Sequence, residues 1–269
     1  MADTSDAGHT ISQGFTGEAE EAGEADRSRM SFLEHLDELR RRILYSVYAL
    51  AACFAVAFWF WSDMYGFLVQ YFIQNAAGTR LIYSKPMAGF MFSLKITGLA
   101  ALIASSPFIF SQVWLFVAPG LYAREKKIAI PFVFFSSLLF MGGAAFAHFV
   151  AFPMMWRFFA SYQLNGVQFL PTLDETLSMY IKVIVGLGVI FQMPVLVFVL
   201  ARFGVVTAGF LWRKIKYAIL IIVIVAAIAT PSADIMTLLV FAGPMIVLYL
   251  VSIVVAWIFG KKRDKAEDT

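Results

Sequence analysis

From Ile43 onward the chain is a succession of apolar runs broken by short basic or proline-containing segments. A helix of ~20 apolar residues crosses the ~30 Å hydrocarbon core of a bilayer. Inside lipid every backbone N–H and C=O has to be satisfied within the segment, so runs of this kind fold as helices. Six are predicted: about Ile43–Ser62, Met87–Phe110, Ile128–Phe152, Ser178–Ala201, Ile215–Ala229 and Ile235–Phe259. Trp59 and Trp61 anchor the far end of the first at the interface. Pro86 opens the second, and the third stops before Pro153. Thr172 with Glu175 forms a capping box that starts the fourth helix ahead of its apolar run. Composition excludes a soluble fold, because 61% of residues are hydrophobic and 14% charged, against ~45–50% and ~25% in soluble domains.

The expected fold is an all-α integral membrane protein of six transmembrane helices, with a short fifth span and a kinked sixth. The fifth run has about 15 residues, or ~22 Å at 1.5 Å per residue. A short span thins the bilayer locally. Gly243-Pro244 lies mid-way along the sixth, where proline removes a backbone hydrogen bond. Basic residues set the orientation. Arg40–Arg42, Arg124, Lys126, Lys127, Arg202, Arg213, Lys214, Lys216, Lys261, Lys262, Arg263 and Lys265 fall on one side. Only Arg80, Lys85 and Arg157 fall on the other, with Lys95 and Lys182 inside spans and able to snorkel outward. Both termini are therefore expected in the cytoplasm.

Residues 1–29 are rich in acids, Gly, Ala and Ser, and read as a disordered cytoplasmic tail without the pattern of a signal peptide. Ser31 and Glu34 form a second capping box, which starts an amphipathic surface helix over 30–42 that runs into the membrane domain, 43–260. Residues 261–269 form a basic cytoplasmic tail. Cys53 stands alone, so no intrachain disulfide or cysteine metal site is available.

The few polar residues carry the remaining information. Between Ile43 and Gly260 the acids are Asp63, Glu125, Asp174, Glu175 and Asp234, and Glu125 alone falls on the basic side. It is either a solvated acid balanced by Arg124, Lys126 and Lys127, or a carboxylate kept for a cationic ligand. Glu38 is open to the same two readings, since Arg42 four residues on makes an ordinary helix pair. Gln192 sits mid-span beside Pro194, which frees the carbonyl of Ile190. Its amide either satisfies that local defect or meets a helix of another subunit. His148 reads as an interface residue, and His9 and His35 form no metal-ligand group with it. No phosphate-binding, dinucleotide or hydrolase motif is present, and no enzyme, cofactor, metal or nucleic-acid partner is expected.

His35-Leu36-Asp37-Glu38-Leu39-Arg40-Arg41-Arg42 resembles the entry motif of the TatC family, the multi-spanning subunit of the twin-arginine translocase. Phe116-Val117-Ala118-Pro119-Gly120-Leu121-Tyr122 with Glu125-Lys126 is similar to that family's first cytoplasmic loop. Phe191-Gln192-Met193-Pro194, and Thr230-Pro231-Ser232 with Asp234, are similar to later family motifs in the same order. The resemblance covers about Ser31 to Phe259. It implies a receptor for signal peptides with two adjacent arginines, in a multimeric complex of the bacterial inner membrane with TatA-like and TatB-like single-span subunits. The complex would move folded proteins with the proton-motive force. Glu38 and Glu125 would bind the arginine pair, Gln192 would dock a partner, and Pro86, Pro119, Leu121 and Asp234 would shape the loops. Many relatives have Glu where this chain has Gln192, and Gln cannot ionise. A small-solute or ion secondary transporter is the alternative; it requires a repeat and mid-membrane ionisable groups, neither evident here. A purely structural scaffold would explain Gln192 but not Glu125.

Overall fold

A computed structural model describes residues 34–75, 80–117, 129–161, 170–229 and 235–260. Helices account for nearly all of them. In chain order these are α1 (Glu34–Trp59), α2 (Trp61–Asn75), α3 (Ala88–Val117), α4 (Ala129–Phe146), α5 (Phe152–Ser161), α6 (Leu173–Ile190), α7 (Met193–Arg202), α8 (Ala208–Arg213), α9 (Ile215–Ala229) and α10 (Ile235–Phe259). Among the described residues, five helical stretches have the length and apolarity of a membrane span: Glu34–Trp59, Ala88–Val117, Ile130–Ser161, Leu173–Arg202 and Thr237–Phe259. The sixth run, α9, is apolar but has only 15 residues.

The bundle forms around α3, α4 and α6, which pack on one another, with α10 against α7 and α9. Phe92, Phe152, Leu177, Leu187, Phe241 and Met245 belong to one continuous buried cluster. α4 and α6 cross where Gly143 meets Gly188. A Cβ on Gly143 would lie 2.8 Å from the Leu187 carbonyl oxygen, and one on Gly188 would lie 2.7 Å from the Phe140 ring. Small residues let two membrane helices approach this closely and gain van der Waals contact. α1 differs from the rest, since none of its most apolar window is buried.

Pro107 and Pro153 both sit inside helical runs, and the carbonyls they free find substitutes. Pro107 lies within α3 and cannot donate to the carbonyl of Ile103. The Ser106 hydroxyl donates to that carbonyl at 2.8 Å. Pro153 does not end the third span as expected from the sequence. The helix continues to Ser161 through a π turn at Ala147–Ala151, where the Phe152 N–H donates to the carbonyl of Ala147, five residues back. In that register the missing donor of Pro153 falls opposite the carbonyl of His148, and the Tyr71 hydroxyl donates to it. α2, which the apolar runs of the sequence do not predict, supplies this hydroxyl.

The end of the bundle bearing α2 is tied by two further contacts. Ile82 and Thr172 form a parallel bridge, with the Leu173 N–H donating to the Ile82 carbonyl at 3.0 Å. Thr172 caps α6 as expected, its hydroxyl accepting from the Glu175 N–H at 3.3 Å. The capping box at Ser31 lies outside the described residues. α1 is continuous from Glu34, with no break where the surface helix was expected to meet the span.

Candidate functional site

Glu38 and Arg42 stand one turn apart on α1, so their side chains share a face. Arg42 Nη2 donates to Glu38 Oε1 at 3.1 Å. Its Nη1 donates to Gln112 Oε1 on α3 at 3.4 Å, and its Nε is buried with no hydrogen-bond partner among the described residues. The His35 ring stacks on Phe116 with centroids 4.5 Å apart. Between α1 and α3 runs a groove of about 310 Å³, with Leu39, Ile43, Val47, Ile109 and Val113 among its apolar walls and Arg42, Ser46 and Gln112 as its polar part.

This arrangement leaves Glu38 half-committed. Arg42 holds Oε1 through one guanidinium nitrogen, and Oε2 has no partner among the described residues. A carboxylate has about four lone-pair sites, so Glu38 can accept a second guanidinium without releasing the first. Arg42 thus orients the carboxylate, and Gln112 orients Arg42. Sequence reading missed Gln112 because it ended the second span at Phe110. A buried Gln two residues beyond that point, before Val113-Trp114, was the available signal.

The remaining predicted residues are dispersed. Gln192 lies in the turn between α6 and α7. Its Nε2 donates to the Ser136 carbonyl on α4 at 3.0 Å, so it bridges two helices and does not satisfy the Ile190 carbonyl that Pro194 frees. The Ser136 hydroxyl beside it is buried without a partner among the described residues. Pro86 is exposed in the turn before α3, where the Ala88 N–H donates to the Lys85 carbonyl at 3.0 Å. Pro119, Glu125, Leu121 and Asp234 lie outside the described residues.

The end of the bundle that carries α2 has its own polar contacts. Lys95 Nζ reaches Asp174 Oδ1 at 2.5 Å and Ser178 Oγ at 3.0 Å, so this lysine meets the acid at the start of α6. His148 Nδ1 lies 2.8 Å from the Tyr180 hydroxyl, so His148 is packed within the bundle and not only at an interface. Burial pushes the Tyr71 phenol up from its ordinary pKa. Tyr65 is pushed up to about 12, first by burial and then by its hydrogen bond with Tyr83. No group of three or more His, Cys, Asp or Glu side chains converges among the described residues.

Comparison with known proteins adds a family to this geometry. Residues 34–244 match the family model described as Sec-independent protein translocase protein (TatC). The chain is 44% identical over 242 residues to the Sec-independent protein translocase protein TatC of Koribacter versatilis, covering 88% of each. It is 40% identical over 222 residues to the same-named protein of Helicobacter pylori strain J99, covering 82% of this chain and 87% of the relative. A crystal structure of the twin arginine translocase receptor TatC in DDM superposes with a TM-score of 0.73 at 32% identity, over 85% of this chain and 100% of that one.

Proposed function

Since the chain belongs to the TatC family, we propose that it is the core, signal-peptide-binding subunit of a twin-arginine translocase. The observation that carries this reading is the match over 34–244, which takes in every element from α1 into α10. It is a translocase component and not an enzyme. In this reading α9 completes a six-span topology, both termini are cytoplasmic and the membrane is the bacterial inner membrane. The Lys and Arg asymmetry supports that orientation.

Glu38 and Glu125 bind the two arginines of the signal. The guanidinium fork meets a carboxylate through two parallel N–H···O bonds, which a lysine ammonium cannot reproduce. The partly open Glu38 carboxylate, steadied by Arg42, supports this role. Charge-assisted hydrogen bonds contribute ~1.5–3 kcal/mol each, and water exposure lowers that, so the apolar stretch of the signal supplies the remaining affinity. The groove between α1 and α3 supports an apolar contact beside Glu38. Gln192 docks a partner helix, TatA-like and TatB-like single-span subunits complete a multimeric complex, and Pro86, Pro119, Leu121 and Asp234 shape the connecting segments. Repeats of the kind a secondary transporter requires play no part in this reading.

The test is export of a folded reporter behind a twin-arginine signal in cells whose only TatC is this chain. Glu38→Gln and Glu125→Gln are each expected to reduce export at least tenfold, with the protein still inserted. Undiminished export in the double variant overturns the site.

A further inference from the structure

The last turns of α10 lie beside α8. The Tyr249 hydroxyl donates to the Leu211 carbonyl at 2.8 Å, which fixes the end of α8 near the middle of α10. Beyond that point a groove of about 380 Å³ opens between the two helices, lined by Ala208, Gly209, Trp212, Ile253, Val254 and Trp257. Its walls are apolar, and its two tryptophans are 62% and 76% exposed. Indole rings at such positions sit at the headgroup level of a bilayer.

The chain that follows the groove's α8 wall is positively charged. Arg213 follows Gly209 by four residues and so lies one turn further along the same face. Lys214 caps α8, and Lys216 stands in the first turn of α9. All three are exposed, and none has an ion-pair partner among the described residues. No Asp or Glu occurs between Glu175 and Asp234, nor between Asp234 and Asp264. An apolar cleft lined by two tryptophans and followed in the chain by three exposed bases without ion-pair partners among the described residues matches one ligand chemistry: an acyl chain joined to an anionic headgroup.

We infer that the α8–α10 groove binds an anionic phospholipid, its acyl chain against Gly209, Ile253 and Val254 and its phosphate at Arg213, Lys214 and Lys216. The lipid comes from the leaflet that bathes the basic end of the bundle. The inference rests on α10 spanning a bilayer, and not on the arginine-binding role of Glu38 or Glu125. A basic residue near a membrane surface contributes about fivefold to attraction of anionic lipid, so the three together contribute about a hundredfold.

The full-length protein, purified in detergent and stripped of lipid, is titrated with phosphatidylglycerol or phosphatidylcholine, and bound lipid is counted by native mass spectrometry. One phosphatidylglycerol is expected to be retained at concentrations where phosphatidylcholine is not. The triple variant Arg213→Gln/Lys214→Gln/Lys216→Gln should weaken retention about a hundredfold. Gly209→Leu keeps every charge and fills the groove, because no heavy atom lies within 4 Å of a Cβ built there. It should weaken retention at least tenfold, and it decides the matter should the triple variant fail to fold. Lys182→Gln, remote from the groove, should leave retention unchanged. Wild-type retention in both groove variants, equal retention of phosphatidylcholine, or competition by millimolar inorganic phosphate alone overturns the inference. So does a Gly209→Leu variant that keeps its lipid but loses a copurifying protein. Glu38→Gln should export poorly and bind lipid normally, so failure of the receptor reading leaves this result standing.

Discussion

Replacing Gly143 with Ala is expected to loosen the α4–α6 crossing, whereas the same change at Gly142 is not. Both positions lie in α4, and both gain the ~1 kcal/mol by which Ala exceeds Gly in a helix. The surroundings differ. A Cβ on Gly142 meets nothing within 4 Å, while one on Gly143 lies 2.8 Å from the Leu187 carbonyl oxygen, 2.9 Å from Phe191 Cγ and 3.0 Å from Gly188 Cα. Two of those three atoms are backbone, so no rotamer change relieves the clash and the helices have to separate. Overpacking of this kind costs ~1–3 kcal/mol. Separation also stretches the bond from Gln192 to the Ser136 carbonyl, an interaction of ~0.6–2 kcal/mol between membrane helices. Gly143→Ala should therefore be ~1–5 kcal/mol less stable than Gly142→Ala. Reversible unfolding in bicelles by steric trapping reads this difference directly. Gly188→Ala should fall between them, because its clash is with the Phe140 side chain, which is buried at 5% exposure yet not backbone. Equal stability of the Gly142 and Gly143 variants would refute the argument that contact between these glycines sets the helix spacing.

Three other outcomes follow from the polar contacts. Gln192→Leu removes the α4 bond and should lower stability by ~0.6–2 kcal/mol while reducing copurification of partner subunits; unchanged recovery of partners counts against docking at that position. Arg42→Met leaves the Gln112 amide buried without its donor, a cost of ~1–3 kcal/mol, and lets the Glu38 carboxylate rotate freely, so crosslinking of a twin-arginine signal peptide should fall although both carboxylates remain. Lys95→Met strands Asp174 beside apolar helix, and the double change Lys95→Met/Asp174→Asn should recover part of the lost thermal stability; a double variant no better than the single one argues against the pair.

The elements bounded by strong punctuation were legible in the sequence. α9 starts after Lys214 and ends at Ala229 and α10 starts at Ile235, as expected from the basic residues and the Thr230-Pro231-Ser232 sequence, and Thr172 caps α6 as its spacing with Glu175 requires. Pro153 misled because its effect is settled by a residue far away in the chain, Tyr71, whose hydroxyl takes up the carbonyl it frees. Pro107 is tolerated for a local reason, the neighbouring Ser106. α2 is not predicted by the apolar pattern because it is neither long nor uniformly apolar, and it gains its stability by burying Leu68 and Phe72 against the bundle. For the site, the i,i+4 relation of Glu38 and Arg42 was readable. The contact with Gln112 was not, because periodicity within one helix says nothing about which helix stands beside it.

The π turn at Ala147–Ala151 also works as a phase shift. A π turn holds one residue more than an α turn, which rotates everything beyond it by about 100° about the helix axis. The rotation brings Phe152, Met155 and Trp156 onto the seam that carries Phe140, Ala144 and Ala147, and all six are buried. The reading frame of this helix is therefore defined modulo one residue at a single place. Regularising this turn to α geometry without losing a residue would turn Trp156, together with its bond to the Phe72 carbonyl, out of the core, whereas deleting one residue there would keep Trp156 facing inward. With this number of residues in the span, regular geometry and correct packing exclude each other, so the irregular turn is what keeps the two halves of the helix facing the same way.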